Sequence, residues 1–339
     1  MEVYFYLILG FILLIGGSEI LIRGSVGLAS LLNVSPFVIG VVVVAGGTSL
    51  PELASSIQSI RLNVEDIVIG NIVGSNIANI ILIIGAVAVV HPIIQEKNYF
   101  QKPDTSFSFV HKVAFHVGKN KSDFVAILTS IFFIYCCLKG EVTYLDGILM
   151  LAGLGIFIYV LFSNKEQEIE KHEDQKLNLL VTLIFLIGGL FGVIIGSWLF
   201  IDSSSSIATS FGISDTVIGI TIVAFGTSLP ELTTGLMAAF KKQTDFAIGN
   251  ILGSNIYNIL GVLGVSSLMK NLSMPVLDRK LEIHEIGVKL NFDNLNFDAF
   301  FILFITLLFV YLLRKRGKIG RRTGTIFLFS YLIYIGVSI

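Results

Sequence analysis

Residues 47–53 read Gly-Thr-Ser-Leu-Pro-Glu-Leu, and the same seven residues return unchanged at 226–232. The copy extends further. Ile69-Gly70-Asn71-Ile72 recurs as Ile248-Gly249-Asn250-Ile251, and Gly74-Ser75-Asn76-Ile77 recurs as Gly253-Ser254-Asn255-Ile256. At a constant offset of 179, 19 of the 40 positions 46–85 are identical in 225–264. Two unrelated apolar helices match by chance at Leu, Ile and Val. Matches at Thr, Pro, Glu and Asn mark an internal duplication.

The medium around the repeats is apolar. Of 339 residues, 54% are hydrophobic and 14% charged, with a mean hydropathy of +0.85. A soluble domain carries about 25% charged residues, so the composition is that of a polytopic membrane protein. Ten apolar segments are predicted to span, near 3–22, 37–60, 66–90, 124–138, 144–162, 178–201, 215–240, 245–269, 297–313 and 323–338. The polar stretch 95–122 leaves room for an interfacial helix around 107–117. Met1-Glu2 offers no basic region of a cleaved signal peptide. A net charge of −1 argues against a nucleic-acid partner. Cys136 and Cys137, adjacent on a helix, point away from each other and read as small apolar residues.

Equivalent segments of the two copies are five crossings apart, and five is odd. The second copy therefore enters the membrane upside down, giving two inverted five-helix repeats, 1–162 and 178–339, joined by an acidic linker over 163–177. Inverted repeats are the hallmark of secondary transporters, with the site at their interface near the bilayer midplane. Lys and Arg divide unevenly between the two sets of polar segments. Seventeen follow spans 1, 3, 5, 7 and 9, and six fall in the other set. Basic loops stay cytoplasmic, which predicts both termini on the extracytoplasmic side.

The repeated motif brings three chemical ingredients. Glu52 and Glu231 lie inside apolar runs, where an ionised side chain at mid-membrane costs about 3 kcal/mol or more unless paired or hydrated. No Lys or Arg falls at membrane depth nearby, and mobile cations would serve as partners. Pro51 and Pro230 cannot donate to the carbonyl four residues back, which frees those of Gly47 and Gly226 and loosens those of Thr48 and Thr227. Broken backbone at membrane depth belongs in a cavity or in packed protein. Asn71, Ser75 and Asn79 recur every four residues as one polar helix stripe, repeated by Asn250, Ser254 and Asn258. Asn76 and Asn255 fall off the stripe's centre and are assigned no role. Gly70, Gly74, Gly249 and Gly253 leave room for a neighbouring backbone.

Every candidate donor is oxygen, with no thiolate or imidazole. The five histidines lie in loops or at a span end. An all-oxygen, partly anionic set suits hard cations such as Ca²⁺ and Na⁺. Transported ions are required; no cofactor is.

These paired motifs resemble those of the sodium/calcium exchangers of the cation/calcium antiporter superfamily, and the likeness runs over nearly the whole chain, including Gly17-Ser18 and Gly196-Ser197. The resemblance implies ten helices as five plus five, and a multi-pass plasma-membrane antiporter rather than an enzyme, exchanging Ca²⁺ for Na⁺ by alternating access. It implies that Glu52, Glu231 and the carbonyls of Thr48 and Thr227 hold Ca²⁺. Sodium would be held by Ser49, Ser75, Glu52 and the Ala45 carbonyl on one side. Ser228, Ser254, Glu231 and the Ala224 carbonyl would hold it on the other. Asn79 and Asn258 would line the centre. Some relatives, potassium-dependent exchangers among them, carry Asp where this chain has Asn258, which puts potassium co-transport in doubt. Its partners are the two ions and the lipid bilayer, with no obligatory protein partner. A Ca²⁺/H⁺ antiporter using the same glutamates is the alternative, and a cation channel a more distant one.

Overall fold

The computed structural model describes residues 2–94, 121–163, 177–213, 224–274, 278–283 and 288–338. The first half supplies α1 (Glu2–Leu32), α2 (Pro36–Arg61), α3 (Asp66–Val90), α4 (Lys121–Lys139) and α5 (Tyr144–Ser163). The second supplies α6 (Leu179–Ser210), α7 (Ala224–Thr227 continued by Leu229–Phe240), α8 (Thr244–Met269), α9 (Asn294–Tyr311) and α10 (Arg321–Ser338). Among the described residues, eight helices are long and apolar enough to cross a membrane. The other two are α7, described from Ala224 onward, and α10, which opens on Arg321 and Arg322. The expected interfacial helix at 107–117, the linker residues 164–176 and the start of the seventh span lie outside the described residues.

Two helices outrun their predicted spans. α1 continues to Leu32 and α6 to Ser210, where hydropathy ends them near 22 and 201. Apolarity falls at Arg23 and Asp202, but backbone bonding is indifferent to it. Arg23 stays on the helix, paired with Glu19 one turn back at 2.6 Å. It is a helical residue and not a loop residue, as the charge count assumed. Arg314 is likewise in the helical turn Leu312–Arg316 and donates to Asp123 at 3.3 Å. A 31-residue helix is about 46 Å long, so α1 must tilt or protrude from a hydrocarbon core of about 30 Å.

α1 and α6 pack backbone against backbone. Gly10 and Gly17 of α1 face Gly196 and Gly189 of α6, Gly24 abuts the backbone of Leu186, and a Cβ on Gly17 would fall 2.7 Å from the Val193 nitrogen. Gly196 is as tight, 2.7 Å from the Leu14 nitrogen. Small residues let membrane helices approach this closely. The other sides of the pair expose Phe5, Ile8, Phe191, Ile195 and Trp198, as suits contact with lipid tails. α3 and α8 form the centre, each with 78% of its apolar window buried against 33% for α1. Gly249 and Gly253 bring α8 against the carbonyls of Phe37 and Val41 in α2. At Gly70 and Gly74 no described atom lies within 4 Å, because the equivalent of that α2 segment lies outside the described residues.

Short antiparallel ladders clip the helix ends in matching fashion. β1 (Ile93–Ile94), after α3, pairs with β6 (Lys318–Ile319), before α10. β3 (Leu272–Ser273), after α8, pairs with β2 (Glu141–Val142), before α5. The offset of 179 carries β1 onto β3. A further hairpin joins β4 (Asp278–Ile283) to β5 (Val288–Asp293).

Between α2 and α3, Glu65 accepts a charge-assisted bond from Lys270 at the end of α8, and this bond holds its carboxyl below the usual range. A depressed carboxylate stabilises the fold above its unfolded pKa, and that contribution fades as pH falls through the folded value. Lys270→Ala is expected to return Glu65 titration to the ordinary carboxylate range, read by NMR of labelled Glu. The effect on stability is small because both side chains are solvated.

Candidate functional site

Both copies of the motif break their helix at the same residue with the same geometry. Ser49 has φ −81°, ψ 3° and Ser228 has φ −88°, ψ 3°, in the sparsely used bridge region. The helix then restarts, with the Leu53 N–H donating to the Ser49 carbonyl at 3.1 Å and the Leu232 N–H to that of Ser228 at 3.0 Å. Pro51 and Pro230 fall in the first turn of the new helix, where a missing N–H costs nothing. Glu52 and Glu231 follow in that same turn, where the peptide dipoles favour negative charge.

Both glutamates are 1% exposed, and the helices that carry them are each tied to the other repeat, by Thr48–Asn250 and Thr227–Asn71. Each has one carboxylate oxygen, Oε2, with no hydrogen-bond partner among the described residues. The Ser254 hydroxyl donates to Glu231 Oε1 at 3.3 Å. Ser49, Ser75, Ser228 and Ser254 are all buried. The hydroxyls of Ser49, Ser75 and Ser228, the Asn79 oxygen and both polar atoms of Asn258 find no described partner. Buried polar groups are otherwise almost always satisfied. Such a concentration of unsatisfied oxygens around two acids matches the donor set of a hard cation.

The repeats interlock through the motif threonines. Thr48 Oγ1 donates to Asn250 Oδ1 at 3.4 Å, and Thr227 Oγ1 to Asn71 Oδ1 at 3.4 Å. The offset of 179 converts one bond into the other, so the pairing is reciprocal across the pseudo-twofold. Asn71 also donates to the Glu52 carbonyl at 3.4 Å, and Asn250 to Thr234 Oγ1 at 2.9 Å. Asn79 and Asn258 sit in matching π-helical turns, Ala78–Ile83 and Tyr257–Leu263; such turns recur at functional sites.

The two expected backbone donors differ. The Ala45 carbonyl already accepts the Ser49 N–H at 3.0 Å and shares the Thr48 hydroxyl proton, at 3.4 Å, with Asn250. In the second copy the Ser228 N–H goes to the Phe225 carbonyl at 3.2 Å instead. Sequence reasoning also passed over two residues. Asn255 accepts from Asn79 Nδ2 at 2.9 Å and donates to the Asn76 carbonyl at 3.2 Å, which makes it a bridge between the central helices. Asn76, 0% exposed, donates to the Ile72 carbonyl at 2.8 Å. Their identity in both copies was the available signal; the helix-stripe argument overrode it.

The profile of the sodium/calcium exchanger protein family matches residues 2–163 and 181–339. The chain belongs to the sodium/calcium exchanger family. It is 37% identical over 331 residues to an uncharacterized membrane protein of Methanocaldococcus jannaschii, covering 97% of this chain and 96% of that one. The sodium/calcium exchanger MaX1 of Methanosarcina acetivorans is 31% identical over 302 residues, 80% of this chain and 84% of the relative. A solved structure of the sodium-calcium exchanger NCX_Mj, soaked without Na⁺ and Ca²⁺, superposes with a TM-score of 0.79 at 35% identity over 98% of each chain. Other structures of that exchanger were obtained after soaking with Na⁺ together with Ca²⁺ or Sr²⁺. The fold is therefore the all-helical one with two inverted repeats. This family member is a multi-pass integral membrane cation antiporter and not an enzyme.

Proposed function

We propose that the antiporter exchanges Ca²⁺ for Na⁺ at one site shared by Glu52 and Glu231. The observation that carries this reading is that two dry acids, one from each repeat, sit on motifs bonded to each other's half amid unsatisfied hydroxyl and carboxamide oxygens. Ca²⁺ concentrates two charges between the carboxylates, held also by the Thr48 and Thr227 carbonyls. Sodium ions spread outward onto Ser49, Ser75 and the Ala45 carbonyl, and onto Ser228, Ser254 and the Ala224 carbonyl. Asn79 and Asn258 line the middle without adding charge. Both ions need the same two carboxylates, so they compete, and competition is what couples their movements. An empty dianionic site resists closure in a dry interior. Loaded forms are neutralised and let α1 and α6 move past the rest of the bundle.

In the cell we place this protein in the plasma membrane with both termini extracytoplasmic, from the distribution of Lys and Arg. The linker 163–177 then joins the repeats on the cytoplasmic face. The deciding assay uses purified protein in liposomes preloaded with Na⁺ or with acid. Outward Na⁺ gradients are expected to drive Ca²⁺ uptake, while a pH gradient without Na⁺ drives none. Uptake driven by pH alone would instead establish Ca²⁺/H⁺ antiport, and Ca²⁺ flux without any counter-ion would establish a channel.

A further inference from the structure

Proline at 51 and 230 leaves the Gly47 and Gly226 carbonyls without their helical N–H donors. The structure answers this differently in the two halves. Ser197 of α6 donates its hydroxyl to the Gly226 carbonyl at 3.0 Å. Ile201, one turn further along α6, fills the space where a side chain on Gly226 would go. α6 is thus seated on the second motif by a polar bond and an apolar contact side by side.

The offset of 179 converts Ser197 to Ser18, Ile201 to Ile22 and Gly226 to Gly47, and the matching arrangement is absent. Ser18 is 0% exposed, yet its hydroxyl has no partner among the described residues. The neighbour nearest Gly47 is Leu190 of α6, 2.7 Å from where its Cβ would stand, and not Ile22 of α1. A second asymmetry appears at the centre. The Asn79–Asn255 bond is made, whereas its counterpart from Asn258 to Asn76 is open, with Asn258 Nδ2 and Asn76 Oδ1 both without a partner among the described residues. A buried hydroxyl with no acceptor is costly, and the Gly47 carbonyl is faced by the Ser49 N–H at the helix end and not by Ser18.

We infer that Ser18 and Ser197 are positioning residues that alternately seat α1 and α6 on the two proline-freed carbonyls as the antiporter changes state. In inverted repeats, each half can adopt the other's conformation, and the exchange of conformations opens the opposite face. The bond from Ser197 to Gly226 then marks one state, and a bond from Ser18 to Gly47 marks the other. Neither serine belongs to the proposed ion-binding set. This inference rests on the alternating-access reading of the function.

The test uses pulsed electron spin resonance in lipid nanodiscs, with Cys136 and Cys137 replaced by Ala. Spin labels at Phe211→Cys and Phe240→Cys report how α6 sits on α7, and labels at Leu32→Cys and Arg61→Cys report the equivalent relation of α1 to α2. Ser197→Ala is expected to shift the population away from the distances of this structure by roughly fivefold, the effect of one net hydrogen bond. Ser18→Ala is expected to shift it the other way, and Ser197→Thr, which keeps the hydroxyl, to restore the parent distribution. Shifts in the same direction, no shift, or failure of Thr to rescue would overturn the inference. Sodium-driven Ca²⁺ uptake by the unlabelled parent is measured separately, so loss of the ion assignment is distinguishable from loss of the serine roles.

Discussion

Glu52→Gln or Glu231→Gln protein, reconstituted in liposomes, is expected to exchange Ca²⁺ at least about 100-fold more slowly than the parent. Removing one unit charge about 4 Å from another forfeits about 4 kcal/mol per charge pair at an effective dielectric constant of 20. Part of that loss is recovered because the neutral amide is cheaper to bury. Glutamine preserves shape and retains an acceptor oxygen, so the fold survives. Relief of repulsion between two buried acids is expected to leave the variant at least as heat-stable as the parent, while its stabilisation by added Ca²⁺ disappears. A folded Gln variant that exchanges Ca²⁺ at the parental rate would remove the carboxylates from the mechanism.

The second large effect concerns the glycines between α1 and α6. Gly189→Leu would drive a side chain into the backbone of Leu21, where the nitrogen and Cα occupy the space a Cβ requires. A flexible side chain could turn aside, but a helix backbone cannot without parting the two helices over several turns. Overpacking against side chains already costs about 1–3 kcal/mol, and this case lies at or above the upper end. Gly188, its immediate neighbour, has nothing within 4 Å among the described residues. Thermal unfolding in detergent, followed by size-exclusion chromatography, should show Gly189→Leu largely unfolded and Gly188→Leu close to the parent. Equal behaviour of the two would mean that close backbone approach is not what holds α1 to α6.

Both predictions begin from residues readable in one dimension. The duplication is visible because matches at Thr, Pro, Glu and Asn have no hydropathic excuse, and the acids stand out because ionised groups are expensive in hydrocarbon. Helix ends were less readable. Arg23 and Asp202 look like span boundaries, yet α1 and α6 run through them because backbone hydrogen bonds do not register hydropathy.

Composition and repetition were enough to establish a membrane-embedded, duplicated, inverted architecture with two acids at equivalent depth, since span length, charge placement and repeat offset are properties of the chain taken in order. Partnerships across the halves belong to the tertiary structure. Thr48 meets Asn250, Thr227 meets Asn71, Asn255 bridges to Asn79, and Ser197 reaches Gly226 while Ser18 does not reach Gly47. The seven motif residues are the same in both copies, but their neighbours are not, Gly46 standing where the second copy has Phe225. The difference shows in how α1 and α6 pack on the two motifs, with Ile201 beside Gly226 and Leu190, not Ile22, beside Gly47.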